Sequence, residues 1–146
     1  MADRHTKIRA SQIFDDGIKN EDLNDEAKTG SVQIIVGDGI NTVSTGKAGD
    51  IVIPFNCEII KVTLLAEQTG SIQFDILKGT FAGHPTYTSV VASAHPTISS
   101  SDKSQDSTLT GWTKSISADD TLRFNVDSVT DIKRCTLTLT IKKVTI

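Results

Sequence analysis

Two histidines are the residues of this chain best suited to bind a metal ion. His84 and His95 each open a His-Pro-Thr triplet, and a residue before proline is held in an extended conformation. The pair could ligate a metal, but a zinc site normally has four ligands at characteristic spacings. The sequence offers no such further set, and the competing interpretation is two ordinary loop histidines. We therefore predict no metal and no cofactor.

The carboxylates that could serve in acid–base chemistry stand in turn-like sequences. Asp119-Asp120 follows Ala118 just before a predicted strand, where Asp is a common turn residue. Asp15-Asp16 and Asp131 are equally isolated, and we expect turn carboxylates to be solvated. Gly37-Asp38-Gly39 predicts a β-turn, because the other ligands of a calcium loop are missing. No phosphate-binding or nucleophile motif appears, so we predict that the protein is not an enzyme.

Three aromatic residues could form a platform for a sugar ring. Phe81, Tyr87 and Trp112 lie in or next to one long polar connection. Stacking on aromatic rings is one way to bind the apolar face of a ligand. Packing in the core or in a loop is the alternative interpretation.

Cys57 and Cys135 are the only cysteines. We predict two free thiols, because strand parity places the two side chains on different faces.

Composition limits the partners of the chain. With 146 residues, a net charge of −3 and a pI near 5.5, it has no general attraction for nucleic acid or anionic membranes. No apolar run approaches the roughly 20 residues that span a bilayer. The first ten residues are charged and lack the apolar stretch of a secretory signal, which predicts synthesis in the cytoplasm.

Residues 31–146 are predicted to form the folded domain, because alternating apolar residues recur along them. Four runs alternate most clearly, and each predicts a strand with one buried face. These faces are Ile60, Val62, Leu64 and Ala66; Ile72, Phe74 and Ile76; Leu122, Phe124 and Val126; and Cys135, Leu137, Leu139 and Ile141. Shorter strands are predicted over residues 33–36, 50–54 and 112–116. Alternation with one buried face indicates antiparallel strands, and the fold class is all-β, an antiparallel β-sandwich of jelly-roll type.

Turns and connections complete this prediction. Gln68-Thr69-Gly70 predicts a hairpin turn between the first two alternating runs. Thr121, Arg123, Asn125 and Asp127 are expected on an outward face, as are Arg134, Thr136, Thr138, Thr140 and Lys142. Residues 79–111 form a long connection, and connections beyond about 12–15 residues usually have a function or internal order.

Residues 1–30 are predicted to form an extended N-terminal arm. Their apolar side chains are spread among charged ones without strand or helix periodicity: Ile8, Ile13, Phe14, Ile18 and Leu23. Asn20 could cap a short helix over residues 21–28, with Gly30 past its end. One interpretation is a disordered tail. The other is an arm that orders against another chain, and the five apolar residues favour it.

Several motifs resemble a domain that recurs in head and tail appendage proteins of tailed bacteriophages. Ile53-Pro54-Phe55 leads to AEQTGSIQFDI at residues 66–76, and GWT at 111–113 is followed by ISADDTLRFNVDS at 116–128. Residues 8–13, IRASQI, resemble a segment found where phage fibres and decorations attach. The family pattern often has Gly where Asp119 stands. The similarity covers roughly residues 50–142.

The resemblance implies a virion location, a homotrimeric sandwich and no catalysis. On it we predict a structural protein of a tailed bacteriophage, a fibre or decoration appendage assembled in the bacterial cytoplasm. Its arm would dock on other virion proteins of the capsid, collar or tail. The alternative is an adhesin module in which residues 84–107 or Trp112 recognise a host-surface glycan.

Overall fold

The computed structural model describes residues 19–144, and the all-β antiparallel prediction is confirmed. The elements follow in chain order. They are a 3-10 helix Asn20–Asp22, α1 Asp25–Lys28, β1 Thr29–Val36, β2 Gly46–Val52, β3 Cys57–Thr80, β4 Thr88–Ser89, β5 Thr97–Asp106, β6 Ser115–Ile116, β7 Asp120–Thr130 and β8 Cys135–Lys143. Neither helix in this described part is long and apolar enough to cross a bilayer.

The strands form one curled antiparallel sheet organised around β3. Its main order is β1-β8-β3-β7-β2, and β4, β5 and β6 also pair with β3. β8 lies along the first part of β3, from Cys57 to Ala66, and β7 along the second part, from Ser71 to Thr80. β1 pairs with β8 and β2 with β7. The sheet therefore has two halves that share β3, and their inner side chains form one core cluster.

The predicted hairpin at Gln68-Thr69-Gly70 is wrong, because β3 runs through these residues without a turn. It has 24 residues, whereas strands usually have about 3–10. Gly70 has a different use: a Cβ there would lie 2.3 Å from the Thr130 carbonyl oxygen and 2.8 Å from Ile132 Cγ1. Glycine is needed because the connection between β7 and β8 packs directly against β3 at this point. The register of β5 on β3 also shifts between Leu65 and Ile72.

The predicted buried face of the first part of β3 is wrong at its beginning. Ile59 is buried and Ile60 only half-buried, whereas Val62 and Leu64 are buried as expected. The pairing with β8 shifts register between Ile59 and Lys61. A β-bulge adds one residue to a strand, so the inward parity changes there.

The same bulge overturns the predicted placement of the two cysteines on different faces, whereas the prediction of free thiols is confirmed. Cys57 and Cys135 are both fully buried in the core and both free. They lie at opposite ends of the β3–β8 pairing, where Cys57 faces Lys143 and Cys135 faces Ala66.

The other predicted buried faces are confirmed. The inward residues of the second part of β3, of β7 and of β8 are all buried: Ile72, Phe74, Ile76, Leu122, Phe124, Val126, Cys135, Leu137, Leu139 and Ile141. Thr136, Thr138 and Thr140 on the other face of β8 are half-buried. Thr121 was expected to face outward but is 5% exposed. Its Oγ1 donates to the Gly79 carbonyl at 3.2 Å, and it lines the same cleft as Phe81 and Tyr87 of the β3–β4 connection.

The long connection contains two strands of its own. β4 pairs with β3 at Leu77 and Lys78, and β5 pairs with both parts of β3. Most of the polar stretch 99–107 therefore lies in β5, where Ile98 is buried. This strand was not predicted, because polar residues occupy both of its faces and no apolar alternation marks it. The predicted strand 112–116 is reduced to β6, and the strand 50–54 is β2, which begins four residues earlier and ends before Ile53.

The helix predicted over residues 21–28 with an Asn20 cap is wrong in extent. α1 has four residues, and its N-cap is Asn24, whose side chain accepts a hydrogen bond from the Ala27 amide at 2.8 Å. β1 begins at Thr29, inside the segment predicted as the arm. Lys142 on β8 joins α1 to the sheet, because its Nζ lies 2.8 Å from Asp25 Oδ1.

Candidate functional site

The candidate site is a cleft beside the C-terminal end of β3. Its volume is about 380 Å³, within the range of roughly 300–1,000 Å³ found for ligand pockets. Its walls come from β2, from the beginning of β7 and from the connection between β3 and β4. The lining residues are Asp50, Ile51, Val52, Phe81, His84, Tyr87 and Thr121.

The connection reaches the sheet because Gly79 leaves room for it. A Cβ at Gly79 would lie 2.4 Å from the Thr86 carbonyl oxygen and 3.3 Å from Tyr87 Cδ1. The connection is itself a hydrogen-bonded turn, in which the Gly83 amide donates to the Thr80 carbonyl at 3.2 Å and the Thr86 amide to the Gly83 carbonyl at 2.8 Å. The turn and the glycine together place the Tyr87 ring on the outer face of the sheet.

A charged pair lies at the polar side of the cleft, where Asp50 is the member that lines it. Asp50 on β2 and Arg123 on β7 face each other in the strand register. Arg123 Nε and Nη2 donate to the two carboxylate oxygens of Asp50, each at 2.7 Å. These hydrogen bonds lower the pKa of Asp50 and raise that of Arg123, with a smaller contribution from the charges themselves. Asp50 is therefore a fixed, ionised hydrogen-bond acceptor at neutral pH.

Tyr87 connects this pair to the loop. The guanidinium carbon of Arg123 lies 4.1 Å from the centroid of the Tyr87 ring, a cation–π contact. The Tyr87 hydroxyl and His84 Nδ1 are 3.0 Å apart, and the two rings meet edge to face. A chain of contacts thus runs from Asp50 through Arg123 and Tyr87 to His84, which fixes the orientation of all four side chains.

The apolar side of the cleft is open to solvent. Phe81 is 73% exposed and Val52 is 53% exposed. Large apolar side chains with this much exposure beside a fixed carboxylate form a surface suited to a ligand that has both an apolar face and hydrogen-bond donors.

The structure brings together two of the three aromatic residues proposed as a sugar platform. Phe81 and Tyr87 line the cleft, but Trp112 does not. Trp112 is buried in the core and its Nε1 donates to the Ala94 carbonyl at 2.9 Å. The packing interpretation therefore holds for Trp112. Asp50 and Arg123 were not predicted as site residues, and a pair of opposite charges in two strands would have been the only signal.

The two histidines contact different partners. His84 belongs to the cleft, whereas His95 Nδ1 lies 3.1 Å from Asp127 Oδ2 and 3.1 Å from the Phe74 carbonyl oxygen. Within residues 19–144, no group of three or more His, Cys, Asp or Glu side chains is arranged to hold a metal ion.

The turn carboxylates have structural contacts. Asp120 was expected to be solvated, but it is only 8% exposed. It accepts a hydrogen bond from the Ser117 amide at 2.9 Å and lies 3.9 Å from Lys78 Nζ. Its side chain is buried because it closes the turn that leads into β7. Asp38 accepts hydrogen bonds from the amides of Ile40 and Asn41, and these lower its pKa to about 2.

Leu23 is the one predicted docking residue that lies within the described residues. Ile8, Ile13, Phe14 and Ile18 lie outside the described residues, as does Asp15-Asp16. Leu23 precedes α1 and is 38% exposed.

Comparison with known proteins adds little to this geometry. No family model matches the chain, and no curated protein matches it. A solved structure of infectious bursal disease virus, Gx strain, is similar at 12% sequence identity and a TM-score of 0.29. The match covers 81% of this chain and 37% of that one. A similarity this low carries no conclusion about fold or function.

Proposed function

We propose that the chain is a non-enzymatic structural protein of a tailed-bacteriophage virion. In this proposal it is a homotrimeric appendage of fibre or decoration type, made in the bacterial cytoplasm and anchored by residues 1–30 to capsid, collar or tail proteins. The proposal starts from the resemblance of the motifs Ile53-Pro54-Phe55 and ISADDTLRFNVDS to the phage appendage domain.

The observation that carries the proposal is a direct contact between these two motifs. The Asp119 amide donates to the Ile53 carbonyl at 2.7 Å, and the Ile53 amide donates to the Asp120 carbonyl at 2.9 Å. Asn56 adds a third link by accepting from the Ala118 amide at 2.8 Å. Two motifs more than fifty residues apart in the chain therefore form one structural unit. This is what we expect of segments that recur together in one domain family.

The conformation of Asp119 supports the same resemblance. Its φ is +68°, in the left-handed region where glycine has no steric cost and Asp is among the better tolerated residues. The family pattern often has Gly at this position. A turn that needs a left-handed residue here explains both the usual glycine and the Asp of this chain.

The trimer is supported by the surface of the sheet. β1 and β2 are its edge strands, and unpaired strand edges favour association with another chain. Ile35 on β1 and Leu65 on β3 are both more than half exposed. We expect light scattering of the purified chain to give the mass of a trimer. A monomer whose mass is independent of concentration would contradict the proposed assembly.

Reducing agent should not change that mass. Burial raises the pKa of both Cys57 and Cys135 to about 11, so neither is a reactive thiolate at neutral pH. Loss of the trimer on reduction would instead indicate a disulfide between chains.

Anchoring by the arm is tested by deletion. Because β1 begins at Thr29 and the α1 cap is Asn24, deletion of residues 1–23 removes all five proposed docking side chains and spares the sheet. We expect the truncated chain to unfold at the same temperature as the full chain but to be missing from particles that lack the native copy. A truncated chain that still enters particles would place the docking surface on the sheet.

A carbohydrate-binding module is a second candidate, and the cleft favours it. Phe81 and Tyr87 lie beside a fixed carboxylate, a combination that suits sugars. This candidate is compatible with the first, since a virion appendage can carry a binding site.

A further inference from the structure

We propose that the cleft binds a neutral pyranose ring of a glycan, with one face of the sugar on Phe81 and its hydroxyl groups donating to Asp50. The inference rests on the second candidate function, carbohydrate binding, and not on the virion proposal. It assigns the ligand class, the orientation of the ligand and the residues that select it.

The two sides of the cleft require a ligand with two kinds of surface. Phe81 and Val52 offer exposed apolar area, while Asp50 offers carboxylate oxygens. A purely apolar ligand would cover the carboxylate without giving it hydrogen bonds, which is unfavourable. A pyranose has an axial C–H face for the aromatic ring and equatorial hydroxyl groups around its edge, so it satisfies both sides at once.

Asp50 can accept these hydroxyl groups while it holds Arg123. A carboxylate has about four lone-pair sites, and Arg123 uses one on each oxygen. The Arg123 hydrogen bonds lower the pKa of Asp50, so the acceptor stays ionised at neutral pH. His84 adds a further polar atom, because its Nδ1 is engaged by the Tyr87 hydroxyl while its Nε2 has no hydrogen-bond partner among residues 19–144.

The charges of the cleft favour a neutral sugar over an anionic one. The positive charge of Arg123 is already matched by the bidentate contact with Asp50. A sugar carboxylate would therefore meet the Asp50 carboxylate without an unmatched cation among the residues that line the cleft. Repulsion between like charges in such a partly desolvated site weakens binding.

The site is held in place before any ligand arrives. Tyr87 is fixed between Arg123 and His84, and the loop that carries Phe81 and His84 is fixed by its turn hydrogen bonds and by the close approach to Gly79. Preformed sites lose less entropy on binding.

The test uses the full chain with the methyl glycosides of glucose, galactose, mannose and N-acetylglucosamine, and with a methyl sialoside as the anionic probe. Saturation-transfer NMR and titration would be measured for the wild type, Phe81→Ala and Asp50→Ala. Ile40→Ala is the matched control, because Ile40 is 74% exposed, as Phe81 is, but lies outside the cleft. Thermal melts check that each variant is folded.

We expect at least one neutral glycoside to bind the wild type and the Ile40→Ala variant equally. Loss of the ring in Phe81→Ala should weaken binding about tenfold, and Asp50→Ala should weaken it at least as much. If Phe81→Ala binds as tightly as the wild type, the protein binds sugars elsewhere and the cleft inference fails while the candidate function stands. If only the sialoside binds, the proposal of a neutral ligand is wrong. If no probe binds, both the inference and the carbohydrate-binding candidate fail.

Discussion

The two halves of the sheet are alike inside and different outside. The first half consists of β1, β8 and the beginning of β3, and the second of β2, β7 and the end of β3. Inside, Leu64 and Leu137 in the first half and Phe74 and Phe124 in the second are equally buried. Outside, the first half has a threonine-rich surface on β8, whereas the second has the Asp50–Arg123 pair and the cleft.

The difference shows where a site arises on a regular sheet. Both halves follow the same alternation, and this alternation builds the core without specifying any chemistry. The second half gains a site because the connection after β3 folds back over its outer face, where Gly79 lets Tyr87 approach the strand. Loops placed by a rigid scaffold often carry function, and this is one reason why we propose the cleft as a binding site.

The largest expected effect on the free energy of unfolding comes from the inner faces, which should be equally important in the two halves. Phe74→Ala in the second half should lower the free energy of unfolding by about 3–5 kcal/mol, and Leu137→Ala in the first by about 2–5 kcal/mol, through lost burial and the cavity that remains. Thr138→Ala on the outer face of β8 should cost well under ~1 kcal/mol. Denaturant unfolding measures all three. Similar losses for Phe74→Ala and Thr138→Ala would mean that the inner and outer faces are wrongly assigned.

The next effect concerns the point where the two halves meet. Gly70→Ala forces a Cβ against Thr130 and Ile132 and should cost about 1–3 kcal/mol, as overpacking does. Gly30→Ala is the control, since nothing lies within 4 Å of a Cβ there. The control should be neutral or slightly stabilising in the same unfolding experiment. Equal stability of the two variants would argue that the β7–β8 connection does not pack against β3 at Gly70.

A smaller and more local effect is expected at Gly79. Its Cβ would meet the Thr86 carbonyl and the Tyr87 ring, which belong to a connection that can shift more easily than a strand. Gly79→Ala should therefore change the amide chemical shifts of residues 81–87 while those of β8 stay the same. Changes spread evenly over both halves would show that the connection is part of the core and not an addition to it.

The smallest effect is the pH dependence of the outer face of the second half. The pKa of folded Asp50 lies below the unfolded value of about 3.9. The Asp50 carboxylate therefore stabilises the folded state above about pH 3.9, and this contribution is lost as the pH falls through the folded pKa. The stability difference between the wild type and Asp50→Asn should shrink between neutral and acidic pH in thermal melts. A difference that does not change with pH would mean that Arg123 and Asp50 do not interact in solution.

The sequence was sufficient for the core because alternation is a local signal. Ile72, Phe74 and Ile76, and the inward residues of β7 and β8, were predicted from their spacing alone. The errors occurred where a distant part of the chain decides the local structure. The sequence around Gly70 predicts a turn, but glycine is needed there because the β7–β8 connection packs against it. At Ile59, a bulge reverses which residues of β3 face inward.

The site was predictable only in part, for the same reason. Phe81, His84 and Tyr87 are close in sequence, so their residue types could be noticed together. Asp50 and Arg123 are 73 residues apart, and only the register of β2 on β7 makes them partners. Trp112 was grouped with the wrong set because its contact with Ala94 depends on how the connection before β5 folds.

Localisation on particles is the most direct test of the proposed function. Gold-labelled antibody against residues 29–144 should decorate intact, purified phage particles at regular positions on the head, collar or tail. Particles made without this chain, or with a chain that lacks residues 1–23, should show no label at these positions in the electron microscope. Intact particles without label, from cells in which the protein is abundant, would contradict the account.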